Sequence, residues 1–361
     1  MPYPETTTGF AIKDTKNWSS FTKQELPLKK FEDHDIDIAV SACGVCGSDV
    51  HTITGGWGEI PLPLCVGHEI VGTAIRVGPK VKNIKVGDRV GVGAQIHACL
   101  ECDICKADQE NYCPHQVDTY GAEYPDGTVS QGGYSSHVRA HEYFTFKIPE
   151  GLSDEVAAPM LCAGITTYSP LVRLGCGPGK KVAVVGLGGL GHFAVMFAAA
   201  LGAEVTCISH SPDKKEDALK LGASHFVSSK DKNWDEGLKY KFDFILNAAD
   251  VLLDFDLTQY FGILKINGTF HNVGMPDHSI ELKLQDFAST GCYIGTSHIG
   301  NRPEMEAMLK LAADKKLHTW YETIDVSADG CKEAVERVKN NDRVRYRFTL
   351  TGFDKEFGKR T

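Results

Sequence analysis

The sequence has no long hydrophobic run, and no apolar stretch approaches the roughly 18 residues that a membrane-spanning helix requires. It also lacks an excess of basic residues, since 38 Lys and Arg stand against 47 Asp and Glu, for a formal net charge of −9. That balance argues against nucleic acid or an anionic membrane as a partner. The N-terminal segment is polar and contains no apolar core of the kind that a signal peptide needs. We therefore expect a cytoplasmic protein without nucleic-acid or membrane partners.

Disulfides are also not expected, because the cytoplasm keeps thiols reduced, although the 361 residues include 12 cysteines. Four of these cysteines fall between positions 99 and 113, and the others are scattered. Clustering of this kind indicates a metal site. The chain is longer than a single hydrophobic core usually supports, so we expect two domains.

Two kinds of pattern divide the chain. Residues 35–95 contain short alternating runs between glycine turns, such as IDIAV and EIVGTAIRV, and these predict a β-rich unit. From about residue 152, apolar strands such as KKVAVVG alternate with helical stretches, which predicts a parallel sheet covered on both faces. The expected fold class is therefore α/β. The residue pattern leaves open whether the segment after residue 298 joins the second unit or returns to the first.

The segment GLGGLG, residues 186–191, matches the pattern G-x-G-x-x-G. It directly follows an apolar strand and opens a helix, which is the context that the pattern requires. Gly186 would make the tight turn, Gly188 would let the backbone approach a pyrophosphate, and Gly191 would let helix and strand pack closely. The helix N-terminus then offers unpaired N–H groups to the phosphates. The predicted dinucleotide-binding turn consists of Gly186, Leu187, Gly188, Gly189, Leu190 and Gly191.

The end of the next strand bears on the choice between NAD and NADP. NAD sites place an acidic residue there, about 20 residues after the glycines. Here the strand ends in Ser209 and His210, and Lys214 follows shortly. Hydroxyl donors and cations suit a 2′-phosphate, so NADP is favoured. Asp213 argues the other way, but it follows a proline and is interpreted as the start of a helix. A solvated helix face that includes Lys214 and Lys215 is the less favoured alternative.

Four cysteines form a local metal motif in the segment CLECDICKADQENYC, with the spacing C-x₂-C-x₂-C-x₇-C. Four thiolates in one loop can close a tetrahedral shell and leave no position open for chemistry, which predicts a structural zinc. An iron–sulfur cluster uses similar ligands and is the alternative. The predicted ligands are Cys99, Cys102, Cys105 and Cys113.

A second set of candidate ligands is dispersed along the chain. His68 lies beside Glu69 in GHEIVG, 22 residues after Cys46, and Cys162 lies in APMLCAGITTY. One His and two Cys would make a three-ligand zinc site whose open position can polarise a carbonyl. Cys43 and Cys46 also form a C-x-x-C pair, so a thiol–disulfide oxidoreductase is the rival. That rival leaves the histidine and the glycine turn without a role.

In their order along the chain, these motifs resemble the zinc-dependent medium-chain alcohol dehydrogenases, particularly their cinnamyl alcohol dehydrogenase branch of the broad-specificity yeast type. The matching segments include CGVCGSDVH, GHEIVG, SQGGYSSHV, LCAGITTYSPL, GCGPGKKVAVVGLGGLG and RYRFTL. The resemblance implies a β-rich GroES-like catalytic domain and a doubly wound Rossmann domain. The implied boundaries are 1–157 for the catalytic domain with a structural zinc lobe at 97–114, 158–297 for the Rossmann domain, and 298–361 for a return to the catalytic domain.

The resemblance also implies roles at the metal and around the reacting atoms. Cys46, His68 and Cys162 would hold the catalytic zinc, with Glu69 next to the metal and able to ligate it in some states. The four clustered cysteines would hold the structural zinc. The remaining implied catalytic residues are Ser48, which would bond the substrate oxygen, His51, which would continue a proton relay through the cofactor ribose, and Asp49, which would orient a zinc ligand.

The implied cofactor contacts extend beyond the glycine turn. One position departs from the family pattern, because His210 stands where similar NADP-preferring sequences often carry arginine. A neutral imidazole is a weaker phosphate partner than a guanidinium, so we expect a less strict preference for NADP. The implied set is Thr166, Ser209, His210, Lys214, Val273 and Gly274. Arg345 or Arg347 is a further candidate for contact with the cofactor, and the sequence does not choose between them.

The resulting hypothesis is reversible hydride transfer between NADP(H) and primary alcohol/aldehyde pairs, with small molecules as the only substrates. We expect broad specificity that includes cinnamyl, aromatic and medium aliphatic aldehydes. Trp57 is a candidate lining residue of the substrate pocket, with ordinary packing as the alternative. A homodimer is expected from the resemblance alone. The alternatives are a polyol or ketone dehydrogenase on the same scaffold and a non-catalytic NADPH-binding zinc protein.

Overall fold

The computed structural model describes residues 5–249, 256–275, 279, 281–342 and 344–360. The chain divides into two compact units. The first unit is discontinuous and the second is contiguous. The first contains residues 1–162 and 301–361, and the second contains residues 163–300.

The strands of the described residues alternate with short helices along the chain. In chain order the strands are β1 (Thr6–Ala11), β2 (Thr22–Pro27), β3 (Asp35–Val45), β4 (Glu69–Val77), β5 (Arg89–Val92), β6 (Gln95–His97), β7 (Val117–Asp118), β8 (His137–His141), β9 (Thr145–Lys147), β10 (Lys181–Val185), β11 (Glu204–Ser209), β12 (His225–Ser228), β13 (Phe242–Asn247), β14 (Leu264–Asn272), β15 (Tyr293–Thr296), β16 (Tyr321–Asp325) and β17 (Arg347–Thr351). The α-helices are α1 (Gly47–Ile53), α2 (Asp103–Lys106), α3 (Asp154–Ala157), α4 (Ala163–Arg173), α5 (Gly191–Ala200), α6 (Lys215–Lys220), α7 (Leu257–Ile263), α8 (Arg302–Lys315), α9 (Ala328–Lys339) and α10 (Phe353–Phe357).

The first unit is built around a seven-stranded sheet with the order β16-β17-β3-β4-β5-β9, and β8 also pairs with β3. Apart from the parallel pair β16 and β17, its strand pairs are antiparallel. Strand β3 is buried along nearly its whole length, because its apolar residues face the core on both sides. The C-terminal strand β17 pairs directly with β3, with Leu350 opposite Cys43. The end of β3 is therefore held from both sides, by β4 and by β17.

The second unit is a six-stranded parallel sheet with the order β12-β11-β10-β13-β14-β15. Numbered from its first strand, this order is 3-2-1-4-5-6, the doubly wound arrangement that binds dinucleotides where the strand order reverses. The reversal lies between β10 and β13. Strand β10 is buried from Val182 to Val185, which explains its continuous apolar sequence. The predicted α/β class, with a β-rich unit and a doubly wound unit, is confirmed.

Among the described residues, no helix combines the length and the apolar character that crossing a membrane requires.

Candidate metal centres and dinucleotide site

Three segments of the first unit bring Cys46, His68 and Cys162 together. Cys46 follows the last residue of β3, and His68 precedes the first residue of β4. Gly44, near the end of β3, pairs with Glu69, the first residue of β4. Cys46 and His68 therefore lie at the same end of two paired strands. Cys162 immediately precedes α4. The candidate ligand atoms of Cys46, His68 and Cys162 all lie within 4.8 Å of one another, and all three residues are buried.

The donor set fits a zinc ion. The Sγ atoms of Cys46 and Cys162 are 4.0 Å apart, close to the edge of about 3.8 Å that tetrahedral zinc–thiolate bonds would give. Nε2 of His68 is buried and has no hydrogen-bond partner among the described residues. A buried nitrogen without a partner is costly unless a metal or another group satisfies it. Two sulfurs and one imidazole are the ligands of catalytic zinc sites that keep an open position.

The three side chains shift one another's pKa values, and metal binding requires that the two thiols and the imidazole be deprotonated. The hydrogen bond with Cys162 is the main cause that holds the pKa of Cys46 well below its usual value, against the effect of burial. The same interaction, together with burial, raises the pKa of Cys162. Burial lowers the pKa of His68, but the neighbouring Cys46 sulfur outweighs it and raises the pKa to about 9. Because the thiolate is the form that binds metals, Cys46 is prepared as a ligand.

Glu69 and Arg347 form a buried ion pair beside these ligands. Nη2 of Arg347 lies 2.5 and 2.6 Å from the two carboxylate oxygens of Glu69. Burial raises the pKa of Glu69, and the charge of Arg347 opposes that rise. A Cβ at Gly44 would collide with the Glu69 carboxylate, so glycine is required at this point of β3. The structure thus places Arg347 against Glu69, and the predicted contact of Arg347 with the cofactor stays a prediction.

Asp49 joins the two segments that carry Cys46 and His68. Its Oδ2 accepts hydrogen bonds from the backbone N–H of Cys46 at 2.9 Å and from the hydroxyl of Tyr134 at 3.1 Å. Its Oδ1 accepts the backbone N–H of Gly67 at 3.1 Å. The carboxylate is fully buried, and burial raises its pKa. Asp49 therefore orients the ligand segments through their backbone.

The ring of Tyr120 packs on the imidazole of His68, with the ring centroids 5.2 Å apart and the planes at 16°. Tyr120 is buried and follows β7. The sequence analysis did not identify this residue, because it lies in the segment DTYGAEY, which carries no metal or cofactor pattern. Only the packing of separate segments reveals the contact.

Ser48 and His51 both lie on α1, three positions apart and thus on one face of the helix. The Sγ atom of Cys46 lies 3.5 Å from Oγ of Ser48, so the Ser48 hydroxyl lies beside a candidate ligand. The ring of His51 stacks on Trp57, with the centroids 4.9 Å apart and the planes at 6°. Trp57 is about half exposed. The helix therefore carries a hydroxyl at the metal end and an imidazole one turn away.

The four-cysteine lobe is assembled locally. Its four sulfur atoms lie within 4.8 Å of one another. The Sγ atom of Cys99 is 3.5 Å from that of Cys113 and 4.0 Å from that of Cys105. Backbone N–H groups of the loop, first that of Glu101, lower the pKa of Cys99 to about 6. These separations bracket the edge of about 3.8 Å for a zinc–thiolate tetrahedron, so the donors fit a closed zinc site.

The glycine turn of the second unit joins β10 to α5. Gly186 has a φ of +86°, which favours glycine, and an added Cβ would lie 3.0 Å from the backbone of Ala249. A Cβ at Gly191 would collide with the carbonyl oxygen of Gly186. At Gly188, by contrast, no non-neighbouring atom of the described residues lies within 4 Å of an added Cβ. The turn is therefore tight at its two ends and open at its centre, where a pyrophosphate would approach the backbone.

The residues predicted to contact a 2′-phosphate lie at the end of β11, which pairs with β10. Nζ of Lys214 donates a hydrogen bond to the carbonyl oxygen of Leu187 at 2.8 Å, which connects it to the glycine turn. Oγ of Ser209 accepts the backbone N–H of Ser211 at 3.2 Å, and His210 is exposed. The structure thus places the Lys214 ammonium and the Ser209 hydroxyl near the carboxyl end of β11.

The other predicted cofactor contacts lie on two further elements of the second unit. Thr166 is on α4, and Val273 and Gly274 directly follow β14. The backbone N–H of Val273 donates to the carbonyl oxygen of Asn247 at 2.9 Å, which fixes this segment at the carboxyl end of β13. In parallel sheets this end is where ligands bind.

The doubly wound sheet, the glycine turn and the two cysteine-rich donor sets define a zinc-dependent, dinucleotide-binding dehydrogenase. Comparisons with known proteins agree with this class. The model of the alcohol dehydrogenase GroES-like domain matches residues 32–150, and that of the zinc-binding dehydrogenase family matches residues 189–314.

The chain is 47% identical over 359 residues to the NADP-dependent alcohol dehydrogenase 6 of Saccharomyces cerevisiae, with 99% of both chains covered. It superimposes on a cinnamyl alcohol dehydrogenase of Sorghum bicolor with a TM-score of 0.91 at 34% identity, covering 99% of this chain and 100% of that one. A Helicobacter pylori cinnamyl alcohol dehydrogenase solved with NADP(H) gives a TM-score of 0.87 at 32% identity, covering 96% and 98%. The chain belongs to the zinc-dependent medium-chain alcohol dehydrogenase family, which confirms the resemblance identified from the sequence.

Proposed function

We propose that this protein is an NADP-dependent alcohol dehydrogenase that catalyses reversible hydride transfer between NADP(H) and primary alcohol/aldehyde pairs. The observation that carries the proposal is the buried set of Cys46, His68 and Cys162, directly followed by a helix with Ser48 and His51. A purely structural metal site would be closed by four protein ligands, as in the cysteine lobe. The similarity to a yeast enzyme named for NADP-dependent alcohol oxidation supports the same activity.

The catalytic zinc would be held by Cys46, His68 and Cys162, and when bound it supplies electrophilic polarisation of a substrate oxygen. The Ser48 hydroxyl, beside the Cys46 sulfur, is the group that hydrogen-bonds that oxygen. His51, one turn further along α1, accepts or returns the proton. Each residue thus has a task that its position on the helix supports.

NADP(H) would bind at the glycine turn, where the N–H groups at the start of α5 face the phosphates. Lys214 and Ser209 supply a cation and a hydroxyl at the edge where the 2′-phosphate is expected, with His210 as a further partner. No acidic residue ends β11 to bond the ribose hydroxyls of NAD. These features support NADP as the preferred cofactor.

The finer parts of the proposal concern substrate, assembly and location. Broad specificity for cinnamyl, aromatic and medium aliphatic aldehydes is supported by the half-exposed Trp57 and by the similar cinnamyl alcohol dehydrogenases. A homodimer is supported by the edge strand β15, where Tyr293 and Ile294 are exposed. An exposed apolar edge strand offers its backbone to another chain. The acidic net charge and the reduced cysteines agree with a cytoplasmic location.

Metal analysis combined with NADPH oxidation tests the function. We expect about two zinc ions per chain, aldehyde reduction that prefers NADPH to NADH, and turnover that stops on chelation and returns with zinc. Ketones, a polyol with NADP⁺ and a small disulfide serve as comparison substrates. Undiminished aldehyde turnover by the zinc-free protein would contradict the proposal, as would a preference for the disulfide.

A further inference from the structure

Tyr120 contacts the catalytic ligand set in two ways that the proposed reaction does not use. Its ring lies almost parallel to the imidazole of His68, at a centroid distance of 5.2 Å and an angle of 16°. Its hydroxyl lies near the side chains of Asp49 and Thr52. The residue is buried, so neither contact is shared with solvent.

The two contacts act on the same assembly. Asp49 holds the backbone N–H groups of Cys46 and Gly67, and Gly67 immediately precedes His68. Tyr120 therefore lies near the carboxylate that joins the two ligand segments, and its ring packs on the imidazole that one of those segments carries. Because Tyr120 is buried, the surrounding core holds its ring in place.

The orientation of an imidazole decides whether its nitrogen can reach a metal. The outer torsion of a histidine side chain is broad, with two shallow wells, so an unrestrained ring samples many planes. Partners that restrain the ring raise metal affinity, and their loss typically lowers that affinity about 10- to 100-fold. A buried aromatic ring packed flat on the imidazole supplies such a restraint, because rotation of the imidazole would drive its edge into the aromatic face.

We propose that Tyr120 is a positioning residue for the zinc ligand His68, with its ring fixing the imidazole plane. The inference rests on the proposed function, which assigns His68 to the catalytic zinc. It goes further by assigning zinc retention at that site to a residue that does not ligate the metal.

The chain offers a matched control in Tyr134. It is also a buried tyrosine beside Asp49, and its hydroxyl donates to that carboxylate at 3.1 Å. The aromatic ring contacts among the described residues pair Tyr134 with Phe21 and give it no stack on His68. Tyr134→Phe therefore removes a hydroxyl beside Asp49 while leaving the His68 stack in place. The zinc of the four-cysteine lobe is a second control within each molecule.

The test measures zinc release from the holoenzyme into an excess of a chromophoric chelator, with unfolding followed in parallel. In Tyr120→Leu we expect one of the two zinc ions to leave about 10-fold faster or more, and the other at the wild-type rate. Tyr120→Phe keeps the ring, so it should match Tyr134→Phe, with less than a threefold change in both. Tyr120→Met serves in the same role if the leucine variant does not fold. In the cobalt-substituted enzyme, the visible bands of the catalytic site should shift in the variant that lacks the ring.

Wild-type release of both zinc ions from the variant without the ring would overturn the inference. Faster release of both ions together, with a lowered melting temperature, would also overturn it, because the ring would then support the fold in general. If Tyr120→Phe releases zinc as fast as Tyr120→Leu, the stack has no positioning role. A wild-type enzyme that contains one zinc, in the cysteine lobe, would instead contradict the proposed function, and the two failures are thereby distinguished.

Discussion

The two metal centres of the first unit are built on different principles. In the cysteine lobe, four ligands lie between positions 99 and 113, and two of their side chains are partly exposed. In the second centre, two of the three ligands are 116 positions apart, and all three are buried. A local loop can close a tetrahedral shell by itself. A site with an open position has only three protein ligands, so the surrounding structure must hold those ligands in place. Here the surrounding contacts come from Asp49, Arg347 and Tyr120.

The largest effect should come from removing a ligand of the open centre. We expect Cys46→Ser to lower kcat/KM for aldehyde reduction at least 1000-fold, because electrophilic stabilisation of the developing charge is lost. Metal analysis should show that the lobe keeps its zinc.

The matched control is Cys43→Ala, since burial raises the pKa of the Cys43 thiol well above its usual value and leaves it unreactive. That variant should stay active. Loss of activity in both variants, at intact zinc content, would point back to a dithiol mechanism.

Breaking the closed centre should affect stability rather than chemistry. Cys105→Ser removes one of four thiolates, and we expect a loss of at least about 4 kcal/mol in the free energy of unfolding, as for other structural metal sites. Urea denaturation measures the change. The fraction that remains folded at low temperature should retain nearly the wild-type kcat, and a kcat below one tenth of wild type would show that the lobe takes part in the reaction.

The support of the open centre can be tested at the buried ion pair. Arg347→Met leaves the Glu69 carboxylate buried without its cation, and we expect a destabilisation of about 3–5 kcal/mol, measured by urea denaturation. The double variant Glu69→Gln with Arg347→Met removes both charges, so it should recover much of that loss. If the single and double variants are equally unstable, the cost lies in packing and not in the unpaired charge.

The smallest effect should come from the relay. His51→Gln should lower the rate of alcohol oxidation about 100-fold near neutral pH, at the lower end of what a positioned acid–base group contributes. The zinc content should not change. The pH profile of the rate distinguishes a relay residue from a surface histidine, because loss of a proton relay should steepen the dependence of the rate on pH. An unchanged rate and an unchanged profile would remove His51 from the mechanism.

The sequence predicted most where the determinants are local. The glycine turn could be identified because its strand, its three glycines and its helix are consecutive, and the lobe because its cysteines share one loop. The α/β class followed from alternating apolar strands and helices. The family was recognised from the order of its motifs.

What could not be predicted depends on segments that are distant in sequence and meet only in the fold. No pattern indicates that Tyr120 packs on His68, or that Arg347 pairs with Glu69. Nothing in the spacing of Trp57 and His51 requires their rings to stack. These contacts are set by sheet pairing and burial, and single residues in loops carry no periodicity that would reveal them.

The pairing of β17 with β3 has a consequence for the order in which the molecule is made. Strand β3 is synthesised early, but its neighbour is supplied by residues 347–351, near the C-terminal end of the sequence. The second unit is contiguous and can fold as soon as it leaves the ribosome, as domains generally do. The sheet of the first unit cannot be completed until residues 347–351 have been synthesised. Glu69 therefore meets its arginine only after translation has passed the whole dinucleotide-binding unit.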